Sequence, residues 1–390
     1  MRQRQRLCSV VLLALTAFAI AVAPLPRQAG AQAPQTRIKL PVLVPITGIL
    51  SLEGTSQRNG ALLAIKALAG RVEFDPDVID TVQSPEAAIT AWHRALRESS
   101  PLAVVGPIFG PQMLALMPLA AERGLPLLTI SGTARLSDAG NPWFFRFFPS
   151  DAVVKVAHAR YVIEELHAKR PAILYQTTAY GQSGREQLAR TFAALNVTPV
   201  LEAEVTPQTT DLTPIVRRAL SEANADVLVL HLHAESTAKA VIAARKLAPD
   251  LPIVAGSAMH QPATSRLVPV GDLKNVCAET ASSPVSAGEP AEKVFLEAYR
   301  GAFNDQPDAY ALAQYDAVMA LGEVVQGLRQ GSAVATPEAV RKGLAERGFS
   351  GIAMRYRSDG HGNMAHQASI VCFDGNSPVP QVVKKYDFSK

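Results

Sequence analysis

Cysteine is nearly missing from this chain, with 3 in 390 residues, at positions 8, 277 and 372. So few exclude a disulfide scaffold as the source of stability. Long apolar runs are as scarce: after residue 31 no stretch approaches the ~18 uncharged apolar residues of a membrane helix. An excess of one charge is missing too. Lys and Arg number 38 against 34 Asp and Glu, but Arg2, Arg4, Arg6 and Arg27 fall in the first 31 residues, which carry no acid, leaving 34 against 34. A neutral remainder is no nucleic-acid surface, despite the pI of 8.9. Also absent are G-x-S-x-G, G-x-x-x-x-G-K-[ST], G-x-G-x-x-G and H-E-x-x-H, which lowers the expectation of an enzyme.

What is there begins with "MRQRQRLCSVVLLALTAFAIAVAPLPRQAGAQ": arginines, an apolar run from Leu7 to Ala23, then Ala29-Gly30-Ala31. Residues 1–31 are read as a secretory signal peptide. Cys8 precedes the apolar run and is not placed as a lipoprotein cysteine. The roughly 360 residues that follow exceed what one core organises, so two lobes are expected.

From Ile38 short apolar runs alternate with amphipathic segments. "IKLPVLVPI" reads as a strand and "SQRNGALLAIKALAG" as a helix closed by Gly70. In "SPEAAITAWHRALRESS" Ser84 is the N-cap, Pro85 stands at N1 and Glu86 in the first turn. The rhythm resumes after "NPWFFRFFP" with "PAILYQ", "ADVLVLHL" and "LPIVAGS" as further strands. Nearly all-apolar strands alternating with helices predict an α/β protein whose parallel sheets are covered on both faces. Hairpin-like strands are expected around "RSDGHGN" and "CFDGNSPVP".

In parallel sheets ligands bind at the carboxyl ends of strands. "VLVPITGILSLEG", "AVVGPIFGPQ" and "LLTISGTA" end in small or hydroxyl-bearing residues of the right character. Ser131-Gly132-Thr133 reads either as a seat for an anion, typically a carboxylate, or as a turn with a capping hydroxyl. His231 and His233 share one side of a strand, with Glu235 beyond. Two histidines without a third ligand predict the polar wall of a cleft, without a metal.

"PVLVPITG", "AVVGP", "LPLLTISGTA", "FFRFFPSD" and "AYGQSGREQLARTFAAL" together resemble the successive motifs of type I periplasmic solute-binding proteins of the Leu/Ile/Val-binding branch, over essentially the whole mature chain. The resemblance implies two doubly wound parallel-sheet lobes, 37–146 with 281–348 and 147–280 with 349–390, joined by three crossovers near 144–148, 276–280 and 348–352. It implies that a small ligand is sealed between the lobes in the periplasm and delivered to an ABC transporter permease by a monomer without catalytic residues, cofactor or metal. A sensor reporting to a signalling partner is the alternative.

By position the resemblance puts Ser131, Gly132 and Thr133 at the ligand's carboxylate, with Phe109 and Gly110 beside them, Tyr180 closing from the second lobe, and Tyr310 and His233 lining the cleft. Two departures bear on the ligand. Phe109-Gly110 stands where the family commonly supplies a serine, and Ser257-Ala258-Met259-His260, with Met259 at the ligand, where an acid commonly holds an α-ammonium. Glu53 or Glu235 could supply that acid from neighbouring loops; otherwise a carboxylate lacking the amine, such as an aromatic acid, fits better. Cys277 and Cys372, on strands near crossovers in an oxidising compartment, are expected to lie close enough to pair.

Overall fold

The computed structural model describes residues 37–286 and 288–389; the expected signal peptide, residues 1–31, lies outside the described residues. The first half of the chain runs β1 (Ile38–Val44), α1 (Ser51–Leu68), β2 (Phe74–Asp80), α2 (Pro85–Glu98), β3 (Val104–Val105), α3 (Gly110–Arg123), β4 (Leu127–Thr129) and β5 (Phe144–Arg146). Its strands form a five-stranded, all-parallel sheet in the order β2-β1-β3-β4-β5. Side chains alternate across β1: Val42 and Val44 enter one apolar core and Leu43 the opposite one. Each such side chain contributes about 1.5–3 kcal/mol on burial, so both faces must be covered. Ser84 caps α2 as read, accepting from the Ala87 N–H at 3.1 Å.

The pattern then repeats with α4 (Asp151–Arg160), β6 (Pro171–Gln176), α5 (Ala179–Ala194), β7 (Leu201–Val205), α6 (Thr213–Arg217), β8 (Val227–His231), α7 (Ala234–Leu247), β9 (Ile253–Ala255), α8 (Pro262–Ser265) and β10 (Val276–Thr280). The order β7-β6-β8-β9-β10 reproduces that of the first sheet, and β13 (Gln367–Cys372) and β14 (Gln381–Asp387) extend it antiparallel. Leu228 and Leu230 of β8 enter one core, Val227 and Val229 the other. Between β10 and β13 the chain returns to the first sheet as α9 (Pro290–Phe303), α10 (Ala309–Gln330), α11 (Pro337–Glu346) and the β11 (Gly348–Ser350)/β12 (Arg355–Arg357) pair.

The chain passes between sheets three times. The first two passages come after Arg146 and after Thr280. The third does not fall at 348–352. Phe349, Met354, Tyr356, Met364 and Ala365 are all buried in the first core, so the crossing comes at 365–367. An apolar hairpin holds the chain to the first sheet for some fifteen further residues. The "RSDGHGN" turn follows β12 without joining two paired strands, whereas "CFDGNSPVP" connects β13 to β14. Cys277 and Cys372 stand directly opposite on β10 and β13, with Cα atoms 4.0 Å apart, and are joined in a disulfide.

Candidate ligand cleft between the two sheets

The carboxyl ends of the strands of both sheets face one cleft. From the first sheet come Glu53 at the start of α1, Ile108 to Gly110 after β3, Gly132 after β4, and Tyr310 in the first turn of α10. From the second come Asp151 of α4, Tyr180 of α5, His233 after β8, and Ser257 and Ala258 after β9. Order reversal beside β1 and beside β6 opens a crevice in each sheet, and the two crevices meet.

Local wiring fixes the first-sheet loops. Gln57 of α1 donates to the Gly106 carbonyl at 2.7 Å and accepts from the Ile108 N–H at 2.9 Å. Thr129 donates to the Pro107 carbonyl and accepts from the Ser131 N–H. Arg146, fully buried, donates to the carbonyls of Ser131 (3.2 Å) and Thr133 (2.7 Å), while Asn363 and Ser137 accept from the rest of its guanidinium. A Cβ on Gly110 would stand 2.2 Å from the Thr133 hydroxyl, so only glycine lets that side chain sit there.

Several enclosed polar atoms here have no partner within the protein: Ser131 Oγ, Thr133 Oγ1, Glu53 Oε2, Asp151 Oδ2 and the Tyr180 hydroxyl. Such groups cost roughly 1–3 kcal/mol each when left unpaired. Burial pushes the Glu53 and Asp151 carboxyls up to about 7 each and holds His233 down near 4. Tyr180 is half-buried, stacked on His233 with centroids 5.4 Å apart and tilted on His231 at 4.0 Å. The sheets also touch directly. The Ala134 N–H donates to Ser183 at 2.8 Å, the Ala309 N–H to His260 Nε2 at 2.8 Å, and Gln261 to Asp308 at 2.7 Å.

A family model described as "Periplasmic binding protein" matches residues 37–377. The chain belongs to that family. The Leu/Ile/Val-binding protein BraC3 of Rhizobium johnstonii is 25% identical over 191 residues, 47% of this chain and 52% of BraC3; the match thus spans about half the length of that relative. A leucine binding protein, LivK, from Thermotoga maritima superposes with a TM-score of 0.79 at 21% identity, over 90% of this chain and 99% of LivK. A solute binding protein of an ABC transporter from Rhodopseudomonas palustris BisB5, in complex with 3,4-dihydroxybenzoic acid, gives 0.80 at 17%, over 91% and 98%. The fold of this periplasmic binding protein is therefore the type I fold of those neighbours.

Most residues singled out from the sequence of this binding protein meet at the cleft: Glu53, Phe109, Gly110, Gly132, Tyr180, His233 and Tyr310 line it, and Ser131 and Thr133 flank Gly132. Met259 does not. The short turn Ser257–His260 rotates its side chain into the second apolar core, fully buried, and leaves Ser257 and Ala258 at the cleft. Of the histidine cluster only His233 reaches the lining; His231 lies beneath Tyr180, its Nε2 against the Tyr180 carbonyl, and Glu235 is exposed toward Lys239. Among the described residues no group of three or more His, Cys, Asp or Glu could hold a metal ion. Sequence reasoning missed Asp151. Its only signal was an acid opening a helix straight after the first passage between sheets.

Proposed function

We propose that this protein captures a small carboxylate-bearing solute, an amino acid or an aromatic acid, between its lobes in the periplasm and delivers it to an ABC transporter. The observation that carries the reading is the pair of enclosed, unpartnered hydroxyls, Ser131 Oγ and Thr133 Oγ1, beside the glycines of the cleft. They are donors at a position where the ligand's carboxylate can accept. The carboxylate docks there first, with the backbone at Phe109-Gly110 alongside, and Tyr180 and His233 meet the ligand as the lobes close. Tyr310, packed on Phe148 and His260, supplies the apolar wall. LivK and the dihydroxybenzoate-binding neighbour mark the two ligand chemistries to be compared.

Mass spectrometry of what co-purifies, then a thermal-shift screen of amino acids and aromatic acids, identifies the ligand. A hydrogen bond to a charged group contributes about 1.5–3 kcal/mol, so Thr133→Ala weakens binding roughly ten- to a hundredfold while the fold survives. Tyr180→Ala acts mainly by speeding dissociation, since a closing contact is lost rather than the docking site. Unchanged affinity in a folded Thr133→Ala protein would reduce Ser131-Gly132-Thr133 to a capped turn.

A further inference from the structure

The turn from Asp359 to Asn363 joins no pair of strands, yet it is closely built. Asp359 accepts from the His361 N–H (2.7 Å), the Asn363 N–H (3.0 Å) and the Asn363 side-chain amide (2.6 Å), which leaves Asn363 Oδ1 to accept from Arg146 Nε at 3.0 Å. Backbone bonds from the Arg146 N–H to the Gly362 carbonyl (2.7 Å) and from the Met364 N–H to the Arg146 carbonyl (2.9 Å) lay this segment beside the end of β5. A Cβ on Gly362, at φ +87°, would stand 2.5 Å from the Phe144 carbonyl, so only glycine allows that approach. Arg146 thus ends β5 just before the first passage between sheets, and Asn363 lies just before the third. The same guanidinium holds the carbonyls of Ser131 and Thr133, and none of its acceptors is a carboxylate. A trans peptide sets its N–H opposite its C=O. Drawing the Ser131 carbonyl to Arg146 therefore sends the Gly132 N–H the other way, and Gly132 lines the cleft.

We propose that Arg146 is the positioning residue of the Ser131–Thr133 seat and that Asn363 holds it in place, so that the turn before the third passage braces the seat from behind and couples it to the passages joining the two sheets. This rests on the carboxylate-binding reading above and adds to it two residues that lie outside the cleft lining. A guanidinium is a planar, rigid fork, so it meets two carbonyls and Asn363 in one geometry; a lysine ammonium on a flexible stem keeps the charge and loses the fork. The coupling is reciprocal: whatever fixes Asn363 tightens the ligand, and a bound ligand steadies Asn363.

The probes are the twenty L-amino acids, benzoate and 3,4-dihydroxybenzoate, titrated against wild type, Thr133→Ala, Arg146→Lys and Asn363→Ala. Arg146→Lys should weaken the tightest probe by at least about tenfold although the charge is kept. Asn363→Ala, changed outside the cleft, should weaken it by about three- to tenfold. In ligand-free Asn363→Ala, hydrogen exchange should speed at the Ala134 amide, in the seat turn, and stay as in wild type at Met364, whose bond to the Arg146 carbonyl is backbone only. Adding the probe to wild type should shift the NMR resonance of the Asn363 side-chain amide. Wild-type affinity in a folded Arg146→Lys protein overturns the positioning role, and wild-type affinity in Asn363→Ala overturns the link to the passages. Exchange that speeds equally at Ala134 and Met364 marks a general loosening and overturns both. If Arg146→Lys does not fold, Asn363→Ala decides alone. A loss in Thr133→Ala with none in Arg146→Lys or Asn363→Ala sinks this proposal and leaves the carboxylate reading standing. Unchanged affinity in Thr133→Ala, or no probe bound by wild type, sinks that reading and this proposal with it.

Discussion

Two enclosed glutamates, one on each lobe, have opposite surroundings. Glu279 of β10 accepts from buried Lys155, from His158, and from the N–H and hydroxyl of Ser257. Burial raises its carboxyl, but Lys155 and then His158 outweigh that and hold it well below the usual carboxylate range. Glu53 has only backbone amides, its own and that of Ala234, with acidic neighbours, and burial pushes it up to about 7. A buried charge that the chain itself neutralises is a structural element. One left short of a countercharge, with an oxygen in a cleft, is where a ligand is expected. The second lobe thus fixes Ser257 through a glutamate that it neutralises itself, whereas the first leaves its buried glutamate unpaired; unpartnered polar atoms face the cleft from both lobes, Ser131, Thr133 and Glu53 on the first, Asp151 and the Tyr180 hydroxyl on the second.

The contrast is broken most forcefully at Glu279. Glu279→Gln leaves Lys155 buried without its anion and should cost about 3–5 kcal/mol in urea unfolding, whereas Glu53→Gln should leave stability at neutral pH equal or higher. Equal losses in the two variants would erase the distinction. The disulfide that ties β10 to β13 two residues before Glu279 comes next. Replacing Cys277 and Cys372 by serine should lower stability by about 2–4 kcal/mol, read as a drop in Tm, with little change at the first-lobe seat.

Proton linkage sharpens the comparison further. A carboxyl whose folded-state value lies near 7 rather than 4.5 contributes stability that is fully present below 4.5 and is lost as pH rises through 7. His233 runs the other way, its contribution present above 6.5 and lost as pH falls toward 4, and Asp151 adds to the slope of Glu53. The difference between wild type and Glu53→Gln cancels both. It should change between pH 4.5 and 7.5 by at most roughly 1.4 kcal/mol per pH unit, wild type gaining on the acid side. A flat difference would mean that Glu53 is not held neutral-prone by burial. The smallest effect belongs to Arg135 and Glu186, which pair across the lobes at 2.7 Å while partly exposed. Arg135→Ala should change stability by less than about 1 kcal/mol, and less still in high salt.

The elements of this fold were legible because they rest on local physics. Ser84 and Pro85 announce α2, Gly70 and Gly124 adopt the left-handed turns that close α1 and α3, and apolar strands call for cover on both faces. The strand-end loops could be picked as binding loops for the same reason, since parallel topology puts every carboxyl end on one side.

Local pattern did not reveal which faces meet. Met259 sits one residue from the cleft lining and still turns inward, because a short helical turn decides its direction. The third passage between lobes lies beyond the β11/β12 hairpin, because Phe349 and Tyr356 find their apolar partners in the first core. Asp151 reads in sequence as an ordinary helix start, and only the packing of α4 against Gly132 brings its carboxylate to the seat.

The sequence alone determined the alternation of strands and helices, the two repeated halves and the hydroxyl-bearing turn at Ser131-Gly132-Thr133, because each follows from periodicity, capping and chain direction. Tertiary structure decided the charge state of the site. Whether an acid is a neutralised strut or an unpaired receptor depends on residues more than a hundred positions away, such as Lys155 for Glu279 and Ala234 for Glu53, and no local spacing encodes those meetings.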